Sequence, residues 1–126
     1  MIVNQTFTLS GAEGKPILMD LTYKTGKERA PMVVFVHGFK GFKDWGTHNM
    51  VAEYFAAHGL RFLKFNFSHN GTTPDNPEDF VDLGAFGDNT FTKEFEDLDK
   101  VITFVKSGRE FPMPVSLILI GHSRGG

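Results

Sequence analysis

One run of five apolar residues most constrains the fold of this chain. The segment Met32–Val36 contains no polar position, whereas a strand with one face in water alternates apolar and polar side chains. An unbroken apolar run is typical of a strand that is buried on both faces, as in a parallel sheet covered by helices. We therefore predict that this segment is a central strand of a layered α/β domain.

Other segments carry strand patterns of their own. The turn-rich segment Ser10–Gly14 separates strand patterns at 2–9 and 17–23, which predicts an N-terminal β-hairpin. Further along the chain, Leu60–Phe67 and Val115–Ile120 are predicted as buried strands.

A first helix is predicted between the third and fourth strands. It ends at Gly59, because glycine tolerates the left-handed conformation that closes a helix. Asp44 or Thr47 is its candidate N-cap. Its predicted apolar face consists of Met50, Val51, Tyr54 and Phe55.

A second helix is predicted from Thr90 to a C-terminal cap at Gly108. Carboxylates cluster near its start and basic residues flank its end, as the helix dipole favours. The stretch Ser68–Asn89, between the fourth strand and this helix, is predicted to be irregular. The predicted apolar stripe of the helix consists of Phe91, Phe95, Leu98, Ile102 and Val105.

The order of these elements predicts the fold class. Strand and helix patterns alternate after the hairpin, which favours right-handed crossovers and a mostly parallel α/β sheet with an antiparallel N-terminal hairpin. The chain has 126 residues, 40% of them hydrophobic. This is enough apolar material for one core, so residues 1–126 are predicted to form a single domain.

Composition and charge exclude several classes of function. The formal net charge is −2 and no segment has a basic run, so neither nucleic acid nor an anionic membrane is an expected partner. No apolar run approaches the roughly 20 residues of a membrane-spanning helix. The N-terminus lacks a signal-peptide pattern, so we expect a cytoplasmic protein. The absence of cysteine excludes disulfides and thiolate metal sites, and no metal or cofactor is expected.

The last predicted strand leads into a motif that carries chemistry. Gly121-His122-Ser123-Arg124-Gly125 has the Gly-x-Ser-x-Gly pattern of a nucleophile elbow, a sharp turn that presents a serine hydroxyl at the end of a sheet. Glycines are needed on either side because larger side chains would collide with the flanking strand and helix. The pattern alone also fits an ordinary turn, but its position after an apolar strand favours Ser123 as a nucleophile.

A second glycine loop follows the first apolar strand. It is His37-Gly38-Phe39-Lys40-Gly41, and the carboxyl ends of parallel strands are where α/β sheets place their sites. Acyl transfer requires two backbone N–H groups for the developing oxyanion. The candidates are the N–H groups of Phe39 and Arg124; the alternative is a glycine turn with no ligand role.

These motifs resemble those of the α/β-hydrolase superfamily. The resemblance rests on Val33–Gly41 and Leu117–Gly125, with the elements between them in the family's order. The His-Gly-Phe and Gly-His-Ser-x-Gly-Gly pieces look most similar to cinnamoyl/feruloyl esterases and dienelactone hydrolases. The resemblance implies the N-terminal half of an α/β-hydrolase fold and a serine esterase. In such an enzyme Ser123 attacks a small-molecule ester, a histidine is the general base and an acid orients it.

The chain departs from the superfamily pattern after the nucleophile. In the superfamily the acid and then the histidine follow the serine, whereas only three residues follow Ser123 here. We therefore expect a truncated domain that is inactive alone. The histidines before or beside the serine are not expected to be the base. His37 and His122 are expected to shape the loops, and His48 and His58 to lie at partly exposed helix positions with a structural role. His69 lies in the irregular stretch.

The irregular stretch is acidic. Its carboxylates either line the mouth of the site and disfavour anionic substrates or form a solvated surface loop, which is the more common situation. Their spacing matches no calcium-binding motif. They are Asp75, Glu78, Asp79, Asp82 and Asp88.

A non-enzymatic function competes with the esterase hypothesis. In the family's strand order, Val115–Ile120 would expose an apolar edge that favours aggregation or partner binding. The chain would then be a half-domain that associates with a complementary C-terminal half or with a second copy of itself. Within enzymes, an acyltransferase, a thioesterase and a peptidase are the alternatives to an esterase.

Overall fold

Three parallel strands and an antiparallel hairpin form the sheet of this protein. The computed structural model describes residues 1–37, 43, 48–72, 75, 82–88 and 90–121. Within these ranges the strand order is β1-β2-β4-β3-β5. The strands β4, β3 and β5 run parallel, and β2 is antiparallel to β1 and β4, so the predicted mixed sheet is confirmed. The strands are β1 (Ile2–Ser10), β2 (Pro16–Lys24), β3 (Met32–Val36), β4 (Arg61–Phe65) and β5 (Leu117–Gly121).

Helices cover both faces of the sheet. Helix α1 (His48–Ala57) packs on one face, and helix α3 (Phe91–Ser107) packs on the other. Among the described residues, a six-residue helix α2 (Leu83–Asp88) and a 3-10 turn (Ala12–Gly14) are the other helical elements. The covering of both faces explains why the central strand tolerates no polar residue.

The apolar strand β3 contributes to the core on both faces, as its sequence predicts. All five of its residues are buried. Val33 and Phe35 belong to the cluster under α1. The residues between and beside them, Met32, Val34 and Val36, belong to the larger cluster under α3.

The buried face of α1 differs from the predicted one. Val51 and Phe55 pack against the sheet as expected, but Met50 and Tyr54 are 70% and 63% exposed. The helix is rotated toward its alanines, whose small side chains let it approach the sheet closely. The residues buried instead are His48, Ala52 and Ala56.

The face of α3 that is buried against the sheet also differs from the predicted apolar stripe. Leu98 and Val105 contact the core as predicted, but Phe95 is 68% exposed. Val101, which the stripe omits, is fully buried. The buried carboxylate of Asp97 lies one turn before Val101 and accepts hydrogen bonds from two loops, so a pattern of apolar residues alone misses this face.

The helix ends agree with the sequence prediction where they are described. Gly59 and Gly108 have φ angles of 86° and 66°, in the left-handed region that ends a helix. The Thr90 side chain accepts a hydrogen bond of 3.1 Å from the N–H three residues further on. The candidate caps Asp44 and Thr47 lie outside the described residues.

The stretch predicted as irregular contains a helix. Helix α2 occupies Leu83–Asp88, and the Asp82 side chain caps it by accepting a 3.0 Å hydrogen bond from the N–H of Ala85. Two glycines in this helix lower its intrinsic propensity, which is why its sequence gives no helical pattern. The cap compensates for this weakness.

Arg61, the first residue of β4, is buried and its side chain donates hydrogen bonds to two connecting segments. The Arg61 side chain donates from Nε to the Ala30 carbonyl at 2.8 Å and from Nη1 to the Pro112 carbonyl at 2.6 Å. Burial lowers its pKa from the ordinary value, and the nearby charge of Arg29 acts in the same direction. These bonds hold the segment that leads into β5 at the edge of the sheet opposite the motif loops.

Candidate functional site

The two motif loops leave the sheet from neighbouring positions. Strands β3 and β5 are adjacent and parallel, with Val36 opposite Gly121. Adjacent strands lie about 4.8 Å apart. The loop that begins at His37 and the loop that continues from Gly121 therefore start side by side at the carboxyl edge of the sheet.

The structure brings these strand ends together but describes little of the loops themselves. Gly121 is the last residue of β5 and is exposed. The other predicted loop and site residues lie outside the described residues: Gly38, Phe39, Lys40, Gly41, His122, Ser123, Arg124 and Gly125. Their roles stay predictions.

His37 is fixed at the start of the first loop. It is buried, and its Nε2 accepts a hydrogen bond from the N–H of Phe67 at 3.3 Å. Its ring also meets the Phe67 ring edge-on, with centroids 4.9 Å apart. Since an accepting Nε2 carries no proton, the neutral ring holds its proton on Nδ1. This histidine joins the ends of β3 and β4, which fits the predicted loop-shaping role.

A buried charge cluster lies on the α1 face of the sheet, beside the same edge. The Asp20 Oδ2 atom accepts from the ammonium groups of Lys43 at 2.5 Å and Lys64 at 3.1 Å. Its Oδ1 accepts from the Thr6 hydroxyl at 3.0 Å. All three charged side chains are at least nine-tenths buried. No sequence pattern predicts this cluster, because Asp20 and Lys64 become neighbours only through strand pairing.

A second buried network joins α3 to two loops. The Asp97 carboxylate accepts from the backbone N–H groups of Ala12 and Ser68, each at 2.8 Å, and from the Ser68 hydroxyl at 2.7 Å. The same hydroxyl lies 2.8 Å from Nδ1 of His69, whose Nε2 is 3.5 Å from the Glu13 carboxylate. Ser68 and His69 are buried, so this serine–histidine pair offers no surface to a substrate.

Comparison with known proteins identifies the architecture. No family model matches the sequence, and no curated protein matches it. Among solved structures, brefeldin A esterase, a bacterial homologue of human hormone-sensitive lipase, superposes with a TM-score of 0.70 at 22% identity, over 98% of this chain and 32% of that chain. Dienelactone hydrolase from Anabaena variabilis gives a TM-score of 0.75 at 18% identity, over 99% and 54%. Est1E from Butyrivibrio proteoclasticus gives 0.69 at 18%, over 95% and 41%.

The fold is that of the α/β hydrolases. These identities are low, so the likeness establishes architecture alone. The chain spans 32% of the length of the esterase and 54% of that of the dienelactone hydrolase. This agrees with the predicted correspondence to the N-terminal part of the α/β-hydrolase fold.

The other described histidines of this hydrolase fold lie away from the strand ends or are already engaged. His48 was expected to be partly exposed, but it is buried and its ring lies 4.5 Å from that of Phe35. His58 is exposed, as expected, and its Nδ1 donates to the Tyr54 carbonyl at 2.8 Å. His69 belongs to the buried network with Asp97.

Two surface carboxylates in and near the acidic stretch have lowered pKa values. A hydrogen bond from the Lys93 ammonium and its charge hold the pKa of Glu13 below the ordinary value. For Asp82, the Ala85 N–H lowers the pKa first, and the Lys15 ammonium, 3.1 Å away, lowers it further. Both effects favour the charged carboxylates.

The prediction for the acidic stretch is tested only in part. Asp75 is exposed, and Asp82 caps α2, which fits a polar surface better than a substrate-lining role. Glu78 and Asp79 and the Asp88 side chain lie outside the described part of the structure.

No group of three or more metal-ligating side chains occurs among the described residues. No described helix is long and apolar enough to cross a membrane. The cytoplasmic location stays a prediction.

Proposed function

We propose that this protein is a serine hydrolase that cleaves a carboxylic ester or a related acyl compound, with Ser123 as nucleophile. One observation carries the proposal: Val36 and Gly121 are paired at the ends of adjacent strands. Phe39 is three residues beyond the first position and Ser123 two residues beyond the second. Since a residue spans at most about 3.6 Å, chain length keeps Phe39 within about 11 Å of Val36 and Ser123 within about 7 Å of Gly121. These limits allow both residues to reach a single acyl group, which supports the proposal.

The proposed reaction proceeds through an acyl-enzyme. The Ser123 oxygen attacks the carbonyl carbon, its proton passes to a general base, and the alcohol leaves with that proton. Water then attacks the acyl-enzyme, which releases the carboxylic acid and restores the serine. The backbone N–H groups of Phe39 and Arg124 donate to the oxyanion in both steps. Each donor contributes about 3 kcal/mol of transition-state stabilisation.

The general base is not assigned to any described histidine. His37 accepts from a backbone N–H, and His69 is enclosed by the buried network. His58 follows α1 and precedes β4, which puts it at the opposite edge of the sheet from the motif loops. We assign the base and its acid to a complementary segment, because α/β hydrolases have both after the nucleophile in chain order.

Covalent labelling tests the nucleophile. A fluorophosphonate probe should label the full-length protein at Ser123, and the Ser123→Ala variant should lose the label. Ser116→Ala is the matched control, because Ser116 is an exposed serine just before β5 and its loss should leave labelling intact. Absence of labelling in the native full-length protein, or labelling that survives Ser123→Ala, would contradict the proposal.

The substrate class is tested with matched acyl compounds. Nitrophenyl esters, the corresponding thioesters and anilides share one acyl group and differ in the leaving atom. We expect the highest kcat/KM for the ester. A preference for the thioester would favour a thioesterase, cleavage of the anilide a peptidase, and acyl transfer to an added alcohol in place of water an acyltransferase.

A second candidate function rests on the exposure of β5. Ile118 and Leu119 are 44% and 50% exposed, and Val115, just before the strand, is 89% exposed. Within the described residues β5 pairs with β3 alone, so one of its edges presents unpaired backbone groups. Such an edge recruits another strand. We therefore propose as the alternative that these 126 residues act as a half-domain that needs a complementary chain or a second copy.

Expression of the 126 residues alone distinguishes the half-domain hypothesis from the hypothesis of a self-sufficient enzyme. The 126-residue chain expressed alone should be poorly soluble and should show no appreciable fluorophosphonate labelling. Addition of a segment that supplies the remaining hydrolase strands should restore both properties. A monomeric 126-residue chain that turns over esters would contradict the half-domain hypothesis, and a stable dimer without labelling would support it.

A further inference from the structure

Strand β1 is an edge of the sheet without the features that usually protect an edge. In the strand order of the described residues it pairs with β2 alone. Its nine residues include no charged side chain and no proline, and its register with β2 continues without a bulge. Soluble proteins commonly interrupt an exposed edge with one of these features, because unpaired backbone groups recruit another strand. The unprotected edge therefore indicates a strand that pairs with another chain.

The hydrogen bonds at the two ends of β1 establish which of its backbone groups point outward. The N–H of Gly11, just after β1, donates to the Lys15 carbonyl, just before β2, at 2.7 Å. At the other end, the Met1 carbonyl accepts from the Thr25 N–H at 2.8 Å. Successive residues of an antiparallel ladder alternate between facing the partner strand and facing away from it, so the even-numbered residues of β1 face outward. Within the described part of the chain, no hydrogen bond to their outward backbone groups occurs. These residues, whose side chains are also exposed, are Ile2, Asn4, Thr6, Thr8 and Ser10.

A groove on the α3 side of the sheet lies beside this edge. It has a volume of about 560 Å³, which leaves room for side chains of another chain. Its apolar part is formed by Leu9 of β1 and Phe104 of α3, both only partly buried. Two acidic and two basic residues line it as well, so its charges balance and do not repel a second copy of the same surface. They are Asp99, Glu110, Lys100 and Arg109.

The sequence of β1 suits antiparallel pairing with a second copy of itself. The register that overlaps all nine residues places Thr6 opposite Thr6, and the outward-facing residues then meet as hydrogen-bonded pairs. Asn4 lies opposite Thr8 in this register, and Val3 lies opposite Leu9. These pairs join polar with polar and apolar with apolar side chains, while the remaining pairs are mixed. Such a contact about a two-fold axis closes after two copies.

We propose that β1 is a dimerisation edge: two copies pair these strands antiparallel about a two-fold axis at Thr6, and Val3 of each copy enters the groove beside Leu9 of the other. A second copy fits because one register pairs both unprotected edges and brings an apolar side chain to each groove. The contact lies at the opposite edge of the sheet from β5, so it leaves β5 available to a complementary segment. It does not depend on the proposed ester chemistry.

The register is tested by cross-linking, because the sequence contains no cysteine. Full-length Asn4→Cys and Thr8→Cys variants are prepared separately, then mixed and oxidised. Opposite residues of a hydrogen-bonded pair have Cα atoms about 5.5 Å apart, which a disulfide spans. Two copies of the same variant would hold their cysteines four residues apart along the strands, roughly 13 Å. We expect the mixture to form a cross-linked dimer and each variant alone to form little. Equal yields in the mixture and in the separate variants, or no cross-link at all, would overturn the proposal.

Sedimentation equilibrium tests the dimer without cross-linking. The full-length wild-type protein should dimerise as its concentration rises. Val3→Asp brings a carboxylate to the apolar groove of the second copy and should raise the dimer Kd at least about 10-fold. Val115→Asp is the matched control, because it adds the same charge at an 89% exposed valine beside β5, and it should leave the Kd unchanged. Circular dichroism first establishes that both variants are folded. A wild-type protein that stays monomeric across the concentration series, or a dimer that Val115→Asp dissociates and Val3→Asp does not, would contradict pairing through β1.

Discussion

The two buried aspartates of this fold differ in what they hold. Asp20 accepts from two ammonium groups and a hydroxyl on the α1 face of the sheet. Asp97, on the opposite face, accepts from two backbone N–H groups and the Ser68 hydroxyl. The first side chain is 10% exposed, and Asp97 as a residue is 1% exposed.

This difference separates two ways of attaching a loop to a sheet. Asp20 attaches a loop by pairing charges, so its removal leaves buried ammonium groups without the carboxylate they share. Asp97 attaches loops by accepting hydrogen bonds from uncharged donors, so its removal leaves backbone donors unsatisfied. Loss of a carboxylate that compensates two buried charges costs more than loss of an acceptor for uncharged donors. The loss of Asp20 should therefore be more damaging than the loss of Asp97.

The largest effect is expected for Asp20→Asn. This variant keeps the shape of the side chain but removes the charge that Lys43 and Lys64 share, so it should destabilise the protein by about 3 to 5 kcal/mol. Urea unfolding followed by circular dichroism measures the change. Glu28→Gln, which neutralises an exposed carboxylate, is the control and should be nearly neutral. A loss below about 1 kcal/mol for Asp20→Asn would show that the cluster is not held by charge.

Asp97→Asn should follow with a loss of about 2 to 4 kcal/mol. Asparagine keeps one accepting oxygen and replaces the other with an NH2 group. That group faces a backbone N–H or hydroxyl that formerly donated to the carboxylate, so a buried donor loses its acceptor. Asp99→Asn, on an exposed position of the same helix, should have little effect in the same unfolding experiment. If Asp97→Asn costs more than Asp20→Asn, then pairing a buried carboxylate with ammonium groups does not stabilise this fold more than pairing it with uncharged donors.

The same two aspartates mark the limit of sequence-based prediction here. Apolar runs and turn residues predicted the sheet, because β3 and β5 carry continuous apolar patterns and Gly59 and Gly108 occupy left-handed positions. The faces of both helices were predicted less well. The buried face of α3 includes the carboxylate of Asp97, and the buried face of α1 includes small alanines. A search for a stripe of large apolar residues counts neither of them.

The candidate site was predictable at the level of motifs and strand ends. The pairing of Val36 with Gly121 brings the two motif loops together, as expected for the carboxyl ends of parallel strands. The partners of Lys43 were not predictable, because Asp20 and Asn66 are 23 residues away in each case. Contacts of this kind follow from strand order and register, which local sequence patterns do not encode.

A smaller effect is expected where a backbone approaches the Asp97 network. A Cβ atom at Gly11 would lie 2.7 Å from Oδ1 of Asp97 and 2.8 Å from the Ser68 Cβ. Gly11→Ala should therefore cost about 1 to 3 kcal/mol by overpacking. Gly84→Ala is the matched control, since its nearest neighbour atom would be 3.7 Å away and alanine favours the helix. Equal melting temperatures for the two variants would mean that the atoms around Asp97 move to accommodate the added Cβ atom with no loss of stability.

The smallest effect concerns the ion pairs at the surface of the Asp97 region. The pKa values of Glu13 and Asp82 are lowered from 4.5 and 3.8 by their hydrogen-bonding partners. A carboxyl group with a lower pKa in the folded state stabilises the fold above its unfolded pKa, and this contribution disappears as the pH falls through the folded value. The melting temperature should therefore drop on acidification below about pH 4.5. The drop should be smaller in the double variant Glu13→Gln/Asp82→Asn and unchanged in Asp75→Asn. Because the Glu13 side chain is exposed and the Asp82 side chain is half-buried, about 1 M salt should also reduce the drop. A salt-insensitive drop that is the same in the wild-type protein, the double variant and Asp75→Asn would place the acid-sensitive groups in the buried clusters.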